Sequence, residues 1–141
     1  MKRKASAVWK GSLKDGNGSV STESGVLDQA QYSFGTRFES GIGTNPEELV
    51  AAAHAGCFSM ALSAQLGTAG LVPDKIETTA IVSFEKLEAG WTITESHLEV
   101  NATIPGATLE VFTKLAQEAK TNCPMSRLFN TTITLEAKLV T

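Results

Sequence analysis

The segment NPEELVAAAHAGCFSMAL, at residues 45–62, predicts a long helix with a well-defined start. Asn45 is a favourable N-cap residue, and Pro46 suits the first helical position because its missing N–H would have no partner there. Glu47 and Glu48 then place two carboxylates beside the positive end of the helix dipole. We therefore expect the helix to begin at Pro46.

The rest of this predicted helix is uncharged. No Asp, Glu, Lys or Arg occurs between Leu49 and Pro73, and the helix is expected to end near Gly67 or Gly70. Such a length would allow a membrane span. The side chains are mostly Ala, Gly and Ser, however, which are too weakly apolar for a helix that faces lipid. We expect no membrane insertion, and instead a helix buried on all sides by protein, with a partner subunit as one candidate.

Composition and charge exclude several classes of protein. The chain has 141 residues, of which 42% are hydrophobic and 19% charged, and it predicts a single domain over residues 1–141. The net charge is −3 and basic residues cluster only at 2–4, so we expect a small-molecule partner and no nucleic acid. No apolar segment follows this basic start, as it would in a secretory signal, and we expect a cytoplasmic protein.

Alternating and helical periods indicate a βββ-α-ββ-αα-β order of elements. Predicted strands lie at 4–13, 18–24, 30–39, 78–84, 91–100 and 131–140, and predicted helices begin at Pro46 and lie at 107–122 and 124–129. The strands are grouped by short turns rather than alternating with helices. This order predicts an α+β fold and excludes a doubly wound sheet.

The chain has two cysteines, each of which is either a small buried hydrophobe or a reactive thiol. Gly56 precedes Cys57, and glycine inside a helix usually marks the close approach of another backbone or a ligand. Apolar surroundings would raise the pKa of Cys57, so a reactive thiol there needs a cation from another part of the chain. Arg37, between two aromatic residues, is the best candidate, with a solvated strand-end arginine as the alternative.

Cys123 has the stronger local claim to a low pKa. It precedes Pro124 at a predicted helix N-terminus, where backbone N–H groups and the helix dipole favour a thiolate. The alternative is a cysteine that only caps the helix. The sequence leaves open whether the two sulfur atoms meet, because a disulfide requires Cα atoms within about 7 Å.

A metal site and a thiol hydrolase are weaker alternatives. His54 and Cys57 share a helical face, and His97 with Cys123 would complete a Cys2His2 set. These ligands lack the paired spacing of zinc sites, so no metal is expected. No motif supports a hydrolase that uses either cysteine with a histidine base.

Three segments together carry a family resemblance. TRFESGIGTNPEELVAAAHAGCFSMAL at 36–62, NCPMS at 122–126 and STESGVLDQAQYSFGTRFE at 21–39 resemble the osmotically inducible protein C (OsmC) and organic hydroperoxide resistance family of thiol peroxidases, most closely its OsmC branch. The resemblance covers nearly the whole chain. It implies an OsmC-like fold in which antiparallel β-sheets pack on a central buried helix, assembled as an intertwined homodimer.

The resemblance also implies roles for four residues. Cys57 matches the peroxidatic cysteine, and Cys123 matches the resolving cysteine that closes a disulfide with it, which favours Cys57 as the reactive thiol. Arg37 matches the arginine that stabilises the thiolate and the peroxide, and Glu47 the carboxylate that orients this arginine. Ten residues of helix, about 15 Å, separate Glu47 from Cys57, so either Glu47 acts through Arg37 or both come from the partner subunit.

The implied function is the reduction of organic hydroperoxides, and less well of hydrogen peroxide, through a sulfenic acid and an intramolecular disulfide. An external dithiol such as a lipoyl-type reductant would regenerate the thiols, and no metal or organic cofactor is needed. Phe58, Met60 and Leu62 suggest a pocket for alkyl peroxides, although each is equally explained as core. The alternative is a non-catalytic dimeric protein, either a small-ligand-binding module or a structural stress protein, with unreactive cysteines.

Overall fold

The computed structural model describes residues 1–140, and these form two compact units, one of residues 1–49 and one from Val50 onward. The strands are β1 (Ala5–Lys10), β2 (Asn17–Thr22), β3 (Ala30–Tyr32), β4 (Lys75–Leu87), β5 (Gly90–Thr103) and β6 (Thr132–Val140). The helices are α1 (Phe34–Phe38), α2 (Pro46–Thr68), α3 (Leu109–Asn122) and α4 (Pro124–Leu128). The predicted α+β class is confirmed, while the expected single domain over 1–141 stays a prediction.

The first unit contains the antiparallel sheet β1-β2-β3, as the sequence predicts. Trp9, Gly18 and Tyr32 are neighbours in register across this sheet. A Cβ atom at Gly18 would lie 2.6 Å from both aromatic rings. Glycine is therefore required here for the rings of Trp9 and Tyr32 to approach each other over β2, where their centroids lie 5.4 Å apart.

The chain leaves this sheet after Tyr32 and forms α1, so the predicted strand over 30–39 is wrong beyond Tyr32. Ser33 and Thr36 form a capping box at the start of α1. The Thr36 N–H donates to Ser33 Oγ at 3.2 Å, and the Ser33 N–H donates to Thr36 Oγ1 at 2.8 Å. Because these bonds start a helical turn, Arg37 lies in a helix rather than at a strand end.

The second unit contains the sheet β4-β5-β6, with β5 in the middle. β4 and β5 form the predicted hairpin, which is longer than predicted at both ends. β6 runs parallel to β5, so the expectation of antiparallel sheets does not hold at this strand. The connection explains the difference, because α3 and α4 lie between β5 and β6 and return the chain to the starting edge before β6 begins.

The core of the second unit lies between α2, α3 and β5. Phe58, Leu62 and Leu66 recur every four residues on one face of α2 and are fully buried. Their partners from β5 and α3 are Leu98, Val100, Ala102, Phe112, Leu115, Ala116 and Ala119. This cluster fixes the face of α2 that is turned toward the core, and with it the positions of the polar and thiol side chains on the same helix.

The opposite face of α2 is exposed. Met60 is 77% exposed, and among residues 1–140 no atom beyond the adjoining helix lies within 4 Å of a Cβ built at Gly56. By length and hydropathy α2 is also the one helix of the described chain that could cross a membrane, a criterion that core helices meet as well. The burial on all sides that the sequence predicts is therefore not supplied by a single copy of these residues.

Candidate active site

The two cysteines come together although 66 positions separate them in the sequence. The Sγ atoms of Cys57 and Cys123 lie 2.9 Å apart, and both thiols are reduced. Cys123 is fully buried, whereas Cys57 is partly exposed. The structure thus answers the question that the sequence leaves open, because this proximity is what direct disulfide formation requires.

Cys123 occupies a break between two helices. α3 ends at Asn122 and α4 begins at Pro124, which lacks the N–H needed to continue α3. Cys123 itself has φ −55° and ψ 130°, and its N–H donates to the Ala119 carbonyl at 2.9 Å. This non-helical residue redirects the chain, and its thiol meets Cys57 on α2.

The surroundings of Cys57 in its own unit do not favour a thiolate. Burial raises the pKa of Cys57, and the hydrogen-bonded Cys123 thiol raises this pKa further. A backbone hydrogen bond from Met125 opposes both effects and lowers the pKa. A thiolate at neutral pH therefore needs additional positive charge near Cys57.

The first turn of α4 serves Cys57 rather than Cys123. α4 has five residues, and the Cys123 side chain makes no capping hydrogen bond to it. The backbone of Met125, in that turn, instead acts on Cys57 and lowers its pKa. The backbone donor that the sequence assigns to Cys123 is therefore found at Cys57.

In the first unit, Arg37 and Glu47 form an ion pair. Arg37 Nη2 lies 2.7 Å from Glu47 Oε1, and Arg37 Nε donates to Oε1 at 3.1 Å and to Oε2 at 3.3 Å. Glu47 is 12% exposed and Arg37 36%. Contact through two guanidinium nitrogens fixes the plane of the group as well as its position. The structure thus brings together two of the predicted site residues, one from α1 and one from α2.

Asn45 joins the two helices that carry this pair. Its Oδ1 accepts a hydrogen bond from the Glu48 N–H at 2.7 Å, as predicted for the N-cap of α2. Its Nδ2 donates to the Thr36 carbonyl at 3.1 Å. One amide therefore links the start of α2, which carries Glu47, to α1, which carries Arg37.

A cavity of about 230 Å³ opens beside Arg37 within the first unit. Most of its walls are aromatic, and the lining residues are Trp9, Leu13, Tyr32, Ser33, Phe34, Arg37 and Phe38. Apolar walls with one cationic group among them suit a small molecule that has an apolar body and a polar end.

The apolar residues that the sequence suggests for a peroxide pocket do not form one. Phe58 and Leu62 are fully buried in the core of the second unit, whereas Met60 lies on the exposed face of α2. The helical period explains this result, because residues four apart share a face and a residue midway between them points away.

The structure gives His54 partners that the sequence does not reveal. His54 is fully buried, with Nδ1 2.6 Å from Ser96 Oγ and Nε2 2.9 Å from Ser126 Oγ. Burial lowers the pKa of His54, which keeps the ring neutral at pH 7. The sequence does contain one sign that His54 has such partners, because it is a histidine in an otherwise uncharged helix that is predicted to be buried. A buried polar group must find hydrogen-bond partners somewhere in the fold.

The Cys2His2 alternative is not assembled. His97 follows Ser96 on β5 and so points to the other face of the sheet, where its Nε2 lies 3.8 Å from carboxylate oxygens of Glu99 and Glu136. Within the described part of the chain these three residues are the only group of side chains close enough to share an ion, and neither cysteine belongs to it.

Comparisons with known proteins agree with these features. Residues 39–138 match the family described as OsmC-like protein. The chain is 51% identical over 137 residues to proteins named Peroxiredoxin OsmC from Escherichia coli (strain K12) and Shigella flexneri, covering 97% of this chain and 96% of each relative. The solved structure of the organic hydroperoxide resistance protein OhrB of Bacillus subtilis matches with a TM-score of 0.71 and 26% identity, over 97% of this chain and 98% of that one. The resemblance stated from the sequence is confirmed, and the chain belongs to the OsmC-like protein family.

Proposed function

We propose that this protein is a cysteine peroxidase that reduces hydroperoxides at Cys57 and resolves the product with Cys123. The observation that carries the proposal is the 2.9 Å contact between two thiol sulfurs, one buried and one partly exposed. A two-cysteine cycle requires such a contact, because the oxidised first thiol must meet the second. The 51% identity to proteins named peroxiredoxin supports the same activity.

The proposed cycle has three steps. The Cys57 thiolate attacks the terminal oxygen of ROOH, the O–O bond breaks, and the alkoxide takes a proton to leave as ROH while Cys57 becomes a sulfenic acid. Cys123 then attacks the sulfenic sulfur, an S–S bond forms, and the hydroxyl group leaves with the thiol proton as water. An external dithiol, for which a lipoyl-type carrier is our candidate, exchanges with the disulfide and restores both thiols.

The Arg37–Glu47 pair is our proposed source of the positive charge that Cys57 needs. Burial raises the pKa of Cys57, and a nearby guanidinium would lower it. The ion pair holds the guanidinium in one orientation, which electrostatic stabilisation of a reacting group requires. Arg37 is accordingly assigned to the thiolate and the peroxide, and Glu47 to the orientation of Arg37.

The cavity beside Arg37 supports organic hydroperoxides as the preferred substrates. Trp9, Phe34 and Phe38 offer ring surface to an alkyl or aryl group, while Arg37 supplies a cation for the peroxide oxygens. Hydrogen peroxide has no group that can use the apolar walls. It is therefore the poorer substrate in this proposal.

Homodimer formation through the exposed face of α2 is also part of the proposal. This face is apolar and built of small residues around Gly56 and Met60, and no described residue outside α2 approaches Gly56. An apolar surface of this kind usually marks an interaction site. A second copy placed there would complete the burial of α2.

Met60→Glu is expected to convert the dimer into monomers, because a carboxylate buried at the contact without a partner costs several kcal/mol. Analytical ultracentrifugation or light scattering measures the mass of wild type and variant. Leu109→Glu changes another exposed apolar residue, on α3, and is expected to remain dimeric. A monomeric wild type, or a Met60→Glu protein that stays dimeric, contradicts the proposed interface.

The proposed activity is tested on reduced wild-type protein with one equivalent of cumene hydroperoxide. We expect both free thiols to disappear and the intact mass to fall by two hydrogens, as disulfide formation requires. We also expect a higher kcat/KM for cumene hydroperoxide than for hydrogen peroxide, and a smaller ratio in Phe34→Ala. If both thiols survive, the alternative of a non-catalytic ligand-binding or structural stress protein replaces the peroxidase.

Localisation in the cytoplasm stays a prediction. It agrees with a thiol pair that must be reduced again after each cycle, because thiol reductants keep cysteines reduced in the cytoplasm. Cell fractionation followed by immunoblotting is the measurement, and recovery of the protein outside the cytoplasmic fraction would contradict the prediction.

A further inference from the structure

His54 is a buried polar residue that the proposed catalytic cycle does not use. It lies on α2 one turn before Cys57, and both ring nitrogens are engaged by serine hydroxyls. In a neutral ring one nitrogen donates and the other accepts, and a hydroxyl can serve as partner to either. The ring therefore forms a fully satisfied chain from Ser96 through His54 to Ser126.

The two ends of this chain lie on different kinds of element. Ser96 is fully buried on β5, the middle strand of its sheet. Ser126 lies on α4, a helix of five residues. A helix this short has little stability of its own and depends on contacts with the rest of the protein. The His54 ring contacts Ser126 of α4 and also makes a T-shaped contact, with centroids 5.0 Å apart, with Phe129, the C-cap of α4.

α4 and its N-cap carry the groups that reach Cys57. Cys123 is the N-cap of α4 and lies three residues before Ser126, and its Sγ is 2.9 Å from Cys57 Sγ. Met125, whose backbone lowers the pKa of Cys57, belongs to the same turn. Movement of α4 away from His54 would therefore withdraw both groups from Cys57.

We propose that His54 is a positioning residue for the resolving step, and this inference rests on the proposed peroxidase function. Through its bond to Ser126 it holds Cys123 against the Cys57 sulfenic acid, so that the disulfide closes before a second peroxide arrives. Disulfide closure releases water. In the competing reaction a second ROOH transfers an oxygen atom to the sulfenic acid, which gives a sulfinic acid and ROH.

The test measures how oxidised Cys57 divides between these two products. Reduced protein is mixed with increasing cumene hydroperoxide, and intact mass separates the disulfide from the sulfinic acid. For Ser126→Ala we expect disulfide closure about tenfold slower, because a small misplacement of reacting groups has effects of this order or larger. The peroxide concentration that gives half sulfinic acid should fall by the same factor.

Two substitutions of the ring distinguish its two hydrogen bonds. His54→Gln places an amide nitrogen near the position of Nε2 and can keep the bond to Ser126, whereas His54→Asn places one near Nδ1 and loses that bond. We expect His54→Gln to give a ratio of disulfide to sulfinic acid close to that of wild type, and His54→Asn to give the ratio found for Ser126→Ala. The double variant of His54→Asn and Ser126→Ala should be no slower than either single variant, because both remove the same bond.

Ser59→Ala is the matched control. It removes a hydroxyl that joins α2 to Thr78 of β4 at 2.7 Å, without changing a contact of α4. The ratio of disulfide to sulfinic acid in this variant should equal that of wild type. The inference is overturned if Ser126→Ala gives the wild-type ratio of disulfide to sulfinic acid, or if Ser126→Ala and Ser59→Ala show equal defects. Failure of the peroxidase itself looks different, since wild-type Cys57 would then form neither product.

Discussion

Replacing Cys57 with serine is expected to abolish peroxide reduction, whereas replacing Cys123 with serine leaves the first oxidation of Cys57 possible. Loss of the nucleophile removes the reacting atom, and we expect kcat/KM to fall by at least about 10³-fold. In Cys123→Ser the sulfenic acid forms with no resolving thiol beside it. It should therefore accumulate and proceed to sulfinic acid at peroxide concentrations that wild type tolerates.

The measurement is stopped-flow peroxide consumption, with mass spectrometry after a sulfenic-specific label. The expected label lies on Cys57 in Cys123→Ser, and Cys57→Ser takes none. The reverse pattern would make Cys123 the peroxidatic residue, as the local sequence around Pro124 favours. Wild-type activity in both variants would remove thiol chemistry from the proposed function.

Arg37→Ala is expected to lower kcat/KM by about 10²-fold at pH 7, the effect of removing one oriented electrostatic group from a reacting centre. Burial already raises the pKa of Cys57, and without the guanidinium less of the thiol is ionised. The rate in the variant should therefore rise with pH further into the alkaline range than in wild type. Ultraviolet absorbance of the thiolate, titrated against pH, measures the shift directly.

Glu47→Gln and Glu48→Gln form a matched pair that isolates the ion pair. Both remove one carboxylate from the first turn of α2, but Glu47 forms the ion pair with Arg37, while Glu48 accepts from Thr44 Oγ1 at 2.7 Å. We expect a clear fall in kcat/KM for Glu47→Gln and little change for Glu48→Gln. Equal effects would point to the charge of the helix end rather than to the orientation of Arg37.

Mixed dimers decide which subunit supplies the arginine. If Arg37 of one protomer serves Cys57 of its partner, dimers that join an Arg37→Ala chain to a Cys57→Ser chain contain one complete site. Co-refolding equal amounts should then recover about a quarter of wild-type activity, since half of the dimers are mixed and each has one of two sites. Activity no higher than that of the separate variants places Arg37 and Cys57 in the same protomer.

The long helices of this fold could be predicted from local signals alone. α2 begins at Pro46 as predicted, because the cap, the proline and the first-turn carboxylates all favour the same start. α3 also ends at Asn122 as predicted, where Pro124 stops the helix. The hydrophobic period and the capping and proline residues favour the same boundaries at these places, so the local sequence is sufficient to predict the helix ends.

The sequence-based predictions are wrong where a specific contact or connection, rather than the hydrophobic period, determines the structure. The bonds between Ser33 and Thr36 start α1 inside an apparently alternating segment. The direction of β6 depends on how α3 and α4 return the chain, which no local pattern records. In the site, the partners of His54 lie 42 and 72 positions away in the sequence, so only the fold could identify them.

The unequal exposure of the two sulfurs gives the proposed cycle a direction. When Cys57 and Cys123 are joined, the Cys57 sulfur is the one that solvent reaches, since Cys123 is fully buried. An incoming dithiol must therefore form its mixed disulfide with Cys57 and release Cys123 as the leaving thiol. The peroxide and the reductant then react with the same sulfur, that of Cys57, one after the other, and Cys123 reacts only with Cys57. A mixed disulfide trapped on the Cys123 peptide would contradict this order.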